Sequence, residues 1–198
     1  MAPLIMRERW NHNIHYHPVV LSAVPASARN ALDVGCGEGT LARALRAKVP
    51  AVTGVDLDQP SVDLARRFGD DISYVVGDVL EHEFSSSFDF IASVATLHHM
   101  DAKAALTRLS SLLRPGGTMV IVGCARSEAR DLPYELAAVV ANSVHRRSKG
   151  YWEHPSPTSW PPPETYSGMR RLATELLPGV EYRRHILWRY SLTWAKPA

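Results

Sequence analysis

Residues 32–40 read Leu-Asp-Val-Gly-Cys-Gly-Glu-Gly-Thr and form the most informative segment of this 198-residue chain. The segment follows an apolar run typical of a buried strand, and apolar residues at helical spacing come after it. Its alternating glycines let the backbone turn sharply and approach a ligand without interference from Cβ atoms. Because ligands of open α/β sheets bind at the carboxyl ends of the strands, the segment predicts a ligand-binding loop.

Strand and helix patterns alternate along most of the chain. The alternation indicates a parallel sheet with helices on both faces, which is a three-layer α/β fold. Two further strand-like runs near the end of the chain are able to close the sheet as a hairpin. The predicted strands are residues 31–34, 52–57, 72–76, 88–94, 118–122, 181–187 and 189–194.

Length and composition restrict the class of protein. A chain of 198 residues with 45% hydrophobic and 21% charged residues suits one globular domain and excludes a disordered or fibrous protein. Two cysteines are too few for a disulfide scaffold, and the sequence contains no apolar run of the roughly 20 residues that span a bilayer. The N-terminus lacks the pattern of a secretory signal. These features predict a cytoplasmic protein.

The charges are few and unevenly distributed. The net charge of +2 is too small to predict binding to nucleic acid or to a membrane. Residues 1–125 contain 11 Lys and Arg against 13 Asp and Glu, a balance of −2, whereas residues 126–198 contain 11 against 7, a balance of +4. The C-terminal third is therefore mildly basic.

The glycine loop departs from two common nucleotide-binding patterns. The dinucleotide fingerprint G-x-G-x-x-G/A requires a small third residue at position 40, but the residue there is Thr40 and the third glycine is Gly39. The sequence also has no G-x-x-x-x-G-K-[ST] segment. These departures argue against NAD or FAD and against ATP hydrolysis by a P-loop.

Five segments occur in an order typical of one enzyme family. They are LDVGCGEGT, GVDLD, VVGDV, FDFIASVATLHH and LRPGGTMVIVG, all within residues 30–124. With these motifs the chain resembles the class I S-adenosylmethionine-dependent methyltransferases, in particular a small type-11-like group. The resemblance implies a Rossmann-like fold with a mostly parallel seven-stranded sheet and an antiparallel terminal strand.

The resemblance also implies that a single methyltransferase domain, residues 1–198, consists of three parts with different roles. Residues 1–29 would form an N-terminal lid or arm, and residues 30–124 would form the cofactor-binding core. Residues 125–198 would supply an insertion on the acceptor side and the terminal hairpin.

S-adenosyl-L-methionine is the implied cofactor and S-adenosyl-L-homocysteine the implied product. Asp33 would bind the ammonium group, Asp56 both ribose hydroxyls, and Asp78 the adenine amino group. Taken alone, Asp33 and Asp78 are better explained as turn or cap carboxylates, but their place among the ordered motifs favours the cofactor roles. For Asp58 and Asp63, capping or solvation stays the better explanation. The full implied cofactor site is Asp33, Gly35, Cys36, Gly37, Gly39, Asp56, Leu57, Asp78, Val79 and Ser93.

Two residues are candidates for a catalytic role. His98 follows the fourth predicted strand, where it would act as a general base or position a hydroxyl, unless it serves only as a structural turn. Tyr16, or its neighbour His15, would contact the methionine carboxylate or the acceptor, unless the arm simply packs on the core through Trp10, Ile14 and Tyr16. No metal site is expected, because the histidines lack further ligands at suitable spacing.

The acceptor is predicted to be a small molecule of aromatic or apolar character. The aromatic residues expected to line its pocket are Tyr134, Tyr151, Trp152, His154, Trp160 and Tyr166. Nearby Arg146, Arg147 and Lys149 would attract a carboxylate or phosphate, or would form an ordinary solvated helix end.

Macromolecular acceptors lack support in the motifs. The loop Ser93-Val94-Ala95-Thr96 replaces the (N/D/S)-P-P-(Y/F/W) sequence of DNA amino-methyltransferases, and the two-glutamate loop of protein-arginine methyltransferases is missing. We expect a monomer or homodimer without nucleic-acid or membrane partners. O-, N-, S- and C-methylation stay open, as do two alternatives: a relative with other chemistry, such as aminopropyl transfer, and a non-catalytic cofactor sensor.

Overall fold

The computed structural model describes residues 9–69, 71–153 and 161–198. Its strands are β1 (Asn30–Val34), β2 (Ala51–Asp56), β3 (Ser73–Val76), β4 (Phe88–Val94), β5 (Leu113–Gly123), β6 (Glu181–Arg184) and β7 (Tyr190–Ala195). Its α-helices are α1 (His17–Ser22), α2 (Thr40–Arg46), α3 (Gln59–Arg66), α4 (Ala102–Leu112), α5 (Leu132–Lys149) and α6 (Tyr166–Leu176).

These strands form one sheet in the order β3-β2-β1-β4-β5-β7-β6. Strands β1 to β5 pair in parallel, whereas β7 runs antiparallel to both β5 and β6. The architecture confirms the predicted mostly parallel, seven-stranded sheet with an antiparallel terminal strand.

Strand β1 lies at the position where the strand order reverses. Asp33 is opposite Gly54 of β2 on one side and opposite Ala92 of β4 on the other. The loops that follow β1, β2 and β4 therefore emerge side by side at one edge of the sheet. Such a switch point is where open α/β sheets bind ligands.

Both faces of the sheet are buried. On one face, α4 and α6 cover apolar residues such as Leu32, Ile91 and Ile121. On the other, α1 and α2 pack with the N-terminal segment against Phe90 and Val122. Neighbouring residues of a strand point to opposite faces, so a strand buried on both faces is apolar throughout, which explains the continuous runs in the sequence.

Strand β5 begins earlier than predicted. The Pro-Gly-Gly segment at 115–117 ends α4 at Leu112 as expected, but the backbone pairs again at once, with Leu113 opposite Phe88. The register then shifts, so that Thr118 lies opposite Phe90. A β-bulge accommodates the extra residues, which the sequence pattern represents only as a helix stop.

The Asp58 carboxylate accepts a hydrogen bond from the Ser61 backbone N–H at 3.0 Å and caps α3, which confirms the capping interpretation of this residue. Among the described residues, no helix combines the length and apolar character required to cross a membrane.

Candidate active site

A cavity of about 830 Å³ opens at the switch point of the sheet. The glycine loop after β1 and the ends of β2 and β4 form one end of it. The N-terminal segment, the C-terminal end of α5 and the turn between β6 and β7 form the other. The N-terminal segment and the β6–β7 turn thus lie at the same cavity, whose volume is in the range that small ligands occupy.

The glycine loop has a backbone that side chains would disturb. Gly35, Gly37 and Gly39 all have positive φ, at 73°, 50° and 78°. A Cβ atom on Gly35 would collide with the side chain of Thr96, which follows β4. The loop therefore requires glycine both for its conformation and for its close approach to the β4 loop.

Asp33 has an unsatisfied carboxylate at the floor of the cavity. Its side chain is 1% exposed, and Oδ2 has no hydrogen-bond partner among the described residues. Burial, and secondarily the charge of Asp56, raise the pKa of Asp33 to about 7. A buried oxygen in this state is a strong acceptor for a ligand N–H, above all for a cationic one.

Asp56 ends β2 with both carboxylate oxygens held in place. Oδ2 accepts the Gly37 N–H at 2.8 Å, and Oδ1 accepts the Asp58 N–H at 2.9 Å. Each oxygen has a second acceptor site, and the group is only half-buried at the cavity wall. The next residue, Leu57, has 69% of its surface exposed and covers the same part of the cavity.

Asp78 and Val79 follow β3 and line the same end. One oxygen of Asp78 accepts the Leu80 N–H at 2.9 Å, which is a turn contact, while the half-buried carboxylate borders the cavity. Cys36 lines the cavity as well, and burial raises the pKa of its thiol. The thiol therefore stays protonated, and the negative charges of this end come from carboxylates alone.

Three predicted site residues do not line the cavity. Ser93 is 1% exposed, and its hydroxyl donates a hydrogen bond to the Val34 carbonyl at 3.2 Å, between β4 and β1. Gly39 turns away from the cavity to begin α2. Tyr16 packs in the core and donates its hydroxyl to the carbonyl of Ile186. Burial raises the pKa of Tyr16 to about 12, so its hydroxyl stays protonated.

Other residues of the N-terminal segment line the cavity instead. They are Asn11, His12, Asn13, Ile14 and His17. The alternative that the arm packs on the core therefore describes Trp10 and Tyr16, which are buried, but not Ile14, which lines the cavity. His15 accepts a hydrogen bond from the Trp10 indole at 3.3 Å and is not part of the cavity wall. Residues 1–8 of the predicted arm lie outside the described residues.

His98 lines the cavity as well. Its Nδ1 is buried without a hydrogen-bond partner among the described residues, and its ring lies 4.1 Å from that of His99, measured between centroids. Burial, followed by the charges of His99 and Arg189, lowers the pKa of His98 to about 4. The imidazole is therefore neutral at physiological pH and able to accept a proton or a hydrogen bond.

The far end of the cavity combines aromatic and cationic side chains. Tyr151 and Trp152 line it, together with Arg146, whose guanidinium stacks on the Tyr151 ring 4.4 Å from the centroid. Of the other predicted aromatic residues, Tyr166 is buried in the core and Tyr134 faces Arg184. His154 and Trp160 lie outside the described residues.

Arg189 is a cavity residue that sequence reasoning missed. It follows the β6–β7 turn and donates a hydrogen bond from Nη2 to Asn13 Oδ1 at 2.7 Å, across 176 positions of sequence. No local motif marks it, because only the pairing of β7 with β5 brings it to the cavity. Within residues 9–69, 71–153 and 161–198, no group of three or more metal-ligating side chains is suited to a metal ion.

Comparison with known proteins identifies the family. A family profile described as a methyltransferase domain matches residues 32–121. An uncharacterised methyltransferase of Mycobacterium tuberculosis is 39% identical over 196 residues, which cover 97% of this chain and 100% of that protein. The chain belongs to the class I S-adenosylmethionine-dependent methyltransferases.

Further relatives agree with membership of the methyltransferase family. A ubiquinone biosynthesis O-methyltransferase of Paracidovorax citrulli is 36% identical over 101 residues, 47% of this chain and 42% of that protein. The N-methyltransferase NodS of Bradyrhizobium japonicum, crystallised with S-adenosyl-L-homocysteine, has the same fold. It is 16% identical, with a TM-score of 0.61 over 93% of this chain and 87% of that chain. The methyltransferase fold predicted from the five motifs is confirmed.

Proposed function

We propose that this methyltransferase transfers the methyl group of S-adenosylmethionine to a small-molecule acceptor bound in the same cavity. One observation carries the proposal: a single cavity joins an end rich in carboxylates to an end of aromatic and cationic side chains. His98 lines the same cavity. The first end suits the cationic and hydroxyl groups of the cofactor, and the second suits a flat small molecule.

The described residues fit the cofactor. The unpartnered Oδ2 of Asp33 would accept the ammonium group, and the free acceptor sites of Asp56 would accept the ribose hydroxyls. Asp78 and the Val79 backbone would bind the adenine edge, and Leu57 would cover its face. Gly35, Cys36 and Gly37 would lie along the methionine and ribose, and the two glycines, which lack Cβ atoms, would leave space for the close approach of the cofactor.

The cofactor, when bound, supplies a methyl group on a sulfonium that is already activated for in-line displacement. The tasks of this chain are therefore to align the acceptor and to keep water out. Neutral His98 would accept a hydrogen bond from an acceptor hydroxyl or amine and orient its lone pair. A pKa of about 4 makes the imidazole a weak base, which favours positioning over early proton removal.

The N-terminal segment would serve as the cover of the cavity, in keeping with the predicted lid. Asn11, His12 and His17 reach the cavity wall, while Trp10 and Tyr16 anchor the segment to the core. The segment connects to the opposite wall through the Asn13–Arg189 hydrogen bond. A cover held at both sides excludes water without requiring a separate domain.

The relative named for ubiquinone biosynthesis is an O-methyltransferase, and its name is in keeping with a small acceptor. The proposal is tested with radiolabelled S-adenosylmethionine and a metabolite extract. We expect label in a product of low molecular mass, and no product from the Asp33→Asn variant. Label only in protein or nucleic acid, or no labelled product despite cofactor binding, would contradict the proposal.

A further inference from the structure

The β6–β7 turn, which presents Arg189 to the cavity, has an unfavourable backbone. Leu187 and Trp188 both have φ of 56°, in the left-handed region that non-glycine residues rarely adopt. Burial of Leu187 and the hydrogen bond from the Trp188 indole to Glu135 at 2.7 Å hold this conformation. Strained backbone of this kind persists only where surrounding contacts enforce it, and it is concentrated at functional sites.

In the part of the chain that the structure describes, Arg189 has no ion-pair partner. Its Nη2 binds the neutral amide of Asn13 at 2.7 Å, and its Nη1 binds the carbonyl of Trp188 at 3.1 Å. Its Nε is shielded from solvent and has no partner in the described part of the chain.

Two acids of this region, Glu135 and Glu38, are engaged by other partners, and a third, Glu153, is an exposed cavity residue that does not appear in an ion pair with Arg189 among the described residues. Glu135 accepts hydrogen bonds from Ser127 and Trp188 and pairs with Arg184 at 3.6 Å. Glu38, on the opposite wall, pairs with Arg9 at 2.8 Å. Arg189 is thus a half-buried guanidinium at a cavity wall, where a carboxylate ligand would supply the missing charge.

We propose that Arg189 binds a carboxylate, and that the small-molecule acceptor of the methyl transfer carries this carboxylate. The inference rests on the proposed function and adds the chemical class of the acceptor. A guanidinium recognises a carboxylate by parallel N–H···O hydrogen bonds, and one half-buried cation balances one anionic group. Arg146 at the cavity rim adds attraction for an anion, and Tyr151 and Trp152 provide the wall for its apolar part.

A carboxylate at Arg189 has two sources, the acceptor and the methionine part of the cofactor. The position of Arg189 favours the acceptor. It binds Asn13, and its charge acts on His98 and Cys124, whereas Asp33, next to which the methionine part is expected, is influenced by the charge of Asp56 and not by that of Arg189. The two sources are separated by saturating the cofactor site before a second carboxylate is offered.

The test uses matched acids and amides as probes: benzoate with benzamide, and hexanoate with hexanamide. Each pair has nearly the same shape and differs in charge. Binding to the full chain saturated with S-adenosyl-L-homocysteine is measured by calorimetry for the wild type and Arg189→Gln. Arg183→Gln is the matched control, because Arg183 is an exposed residue of β6 outside the cavity wall.

We expect the acids to bind the wild type and Arg183→Gln at least about tenfold more tightly than the amides, a difference of about 1.4 kcal/mol. In Arg189→Gln the two should bind equally, while the affinity for S-adenosyl-L-homocysteine changes less than about twofold. Asn13→Ala, which keeps the charge but frees the guanidinium, should retain part of the preference for acids.

Equal binding of acids and amides by the wild type, or no binding of any acid, overturns the inference. A second outcome also overturns the inference: folded Arg189→Gln loses affinity for S-adenosyl-L-homocysteine, and the saturated wild type shows no preference for acids. That result would assign the carboxylate at Arg189 to the cofactor. Failure of the wild type to bind S-adenosyl-L-homocysteine would instead contradict the proposed function.

Discussion

Replacement of Asp56 by alanine is the most direct test of the cofactor site. The two carboxylate oxygens each accept one backbone N–H, from Gly37 and Asp58, and each keeps one site for a ribose hydroxyl. Asp56→Ala removes both ligand contacts and leaves the two backbone donors without their acceptors. The loss therefore combines direct binding with anchoring of the glycine loop.

The magnitude follows from these contacts. A hydrogen bond to a charged group contributes about 1.5–3 kcal/mol, so two at the lower limit give about 3 kcal/mol, or roughly a hundredfold in affinity. Asp56→Asn should also weaken binding at least about tenfold, even though it is isosteric. Its amide nitrogen must face the N–H of Gly37 or of Asp58, which places donor against donor.

The assay is calorimetric titration with S-adenosyl-L-homocysteine, with circular dichroism to verify the fold of each variant. Asp63→Ala is the control, because Asp63 is an exposed residue of α3 whose carboxylate, among the described residues, binds Gln59 and Arg66 of the same helix. Its affinity should equal that of the wild type. A less than threefold change in folded Asp56→Ala would refute the assignment of Asp56 to the ribose.

Four further predictions concern the site and the core. The pKa of the Asp33 carboxyl is about 7 in the folded protein and 3.8 in the unfolded chain. The folded state therefore binds more protons between these values, and the free energy of unfolding should fall as pH rises from 3.8 to 7. Urea titrations should show this fall for the wild type and not for Asp33→Asn. By the same linkage, affinity for S-adenosyl-L-homocysteine should decrease below pH 7, by up to about tenfold per pH unit, and a flat calorimetric profile would disprove the role of the charged form. Gly35→Ala should lower the free energy of unfolding by more than about 1–2 kcal/mol, since the left-handed backbone and the collision with Thr96 add together; an unchanged urea midpoint would be incompatible with this geometry. Leu109→Ala, at a fully buried position of α4, should cost about 2–5 kcal/mol in the same assay, and a cost below about 1 kcal/mol would contradict its place in the core.

Much of the fold could be predicted because its signals are local. A parallel strand buried on both faces is a continuous apolar run, and β4 was predicted with the bounds that the structure has. The start of β5 was missed because Pro115, Gly116 and Gly117 signal a helix stop but not the bulge that restores pairing. Strand pairing at a bulge depends on the neighbouring strand and not on local sequence.

In the candidate site, too, local sequence predicts some residues, whereas contacts between distant segments decide the place of others. Asp33, Asp56 and Asp78 end or follow consecutive strands, so local spacing is enough to bring them to one cavity. Ser93 was assigned to the cavity from its motif, but its side chain points into the sheet toward Val34. Arg189 depends on a contact across 176 positions, which no short pattern encodes.

The contacts between the N-terminal segment and the β6–β7 turn set an order of events during synthesis. Tyr16 finds its hydrogen-bond partner Ile186 only 170 residues later. At roughly 5–20 residues per second, this separation corresponds to roughly 10–30 s of translation. The glycine loop and the loops after β2 and β4 are complete well before that time, whereas the N-terminal segment still lacks the β6–β7 turn that it contacts. A nascent chain thus completes the glycine loop and the carboxylates of the cavity first, and adds the turn that carries Arg189 only just before its last strand.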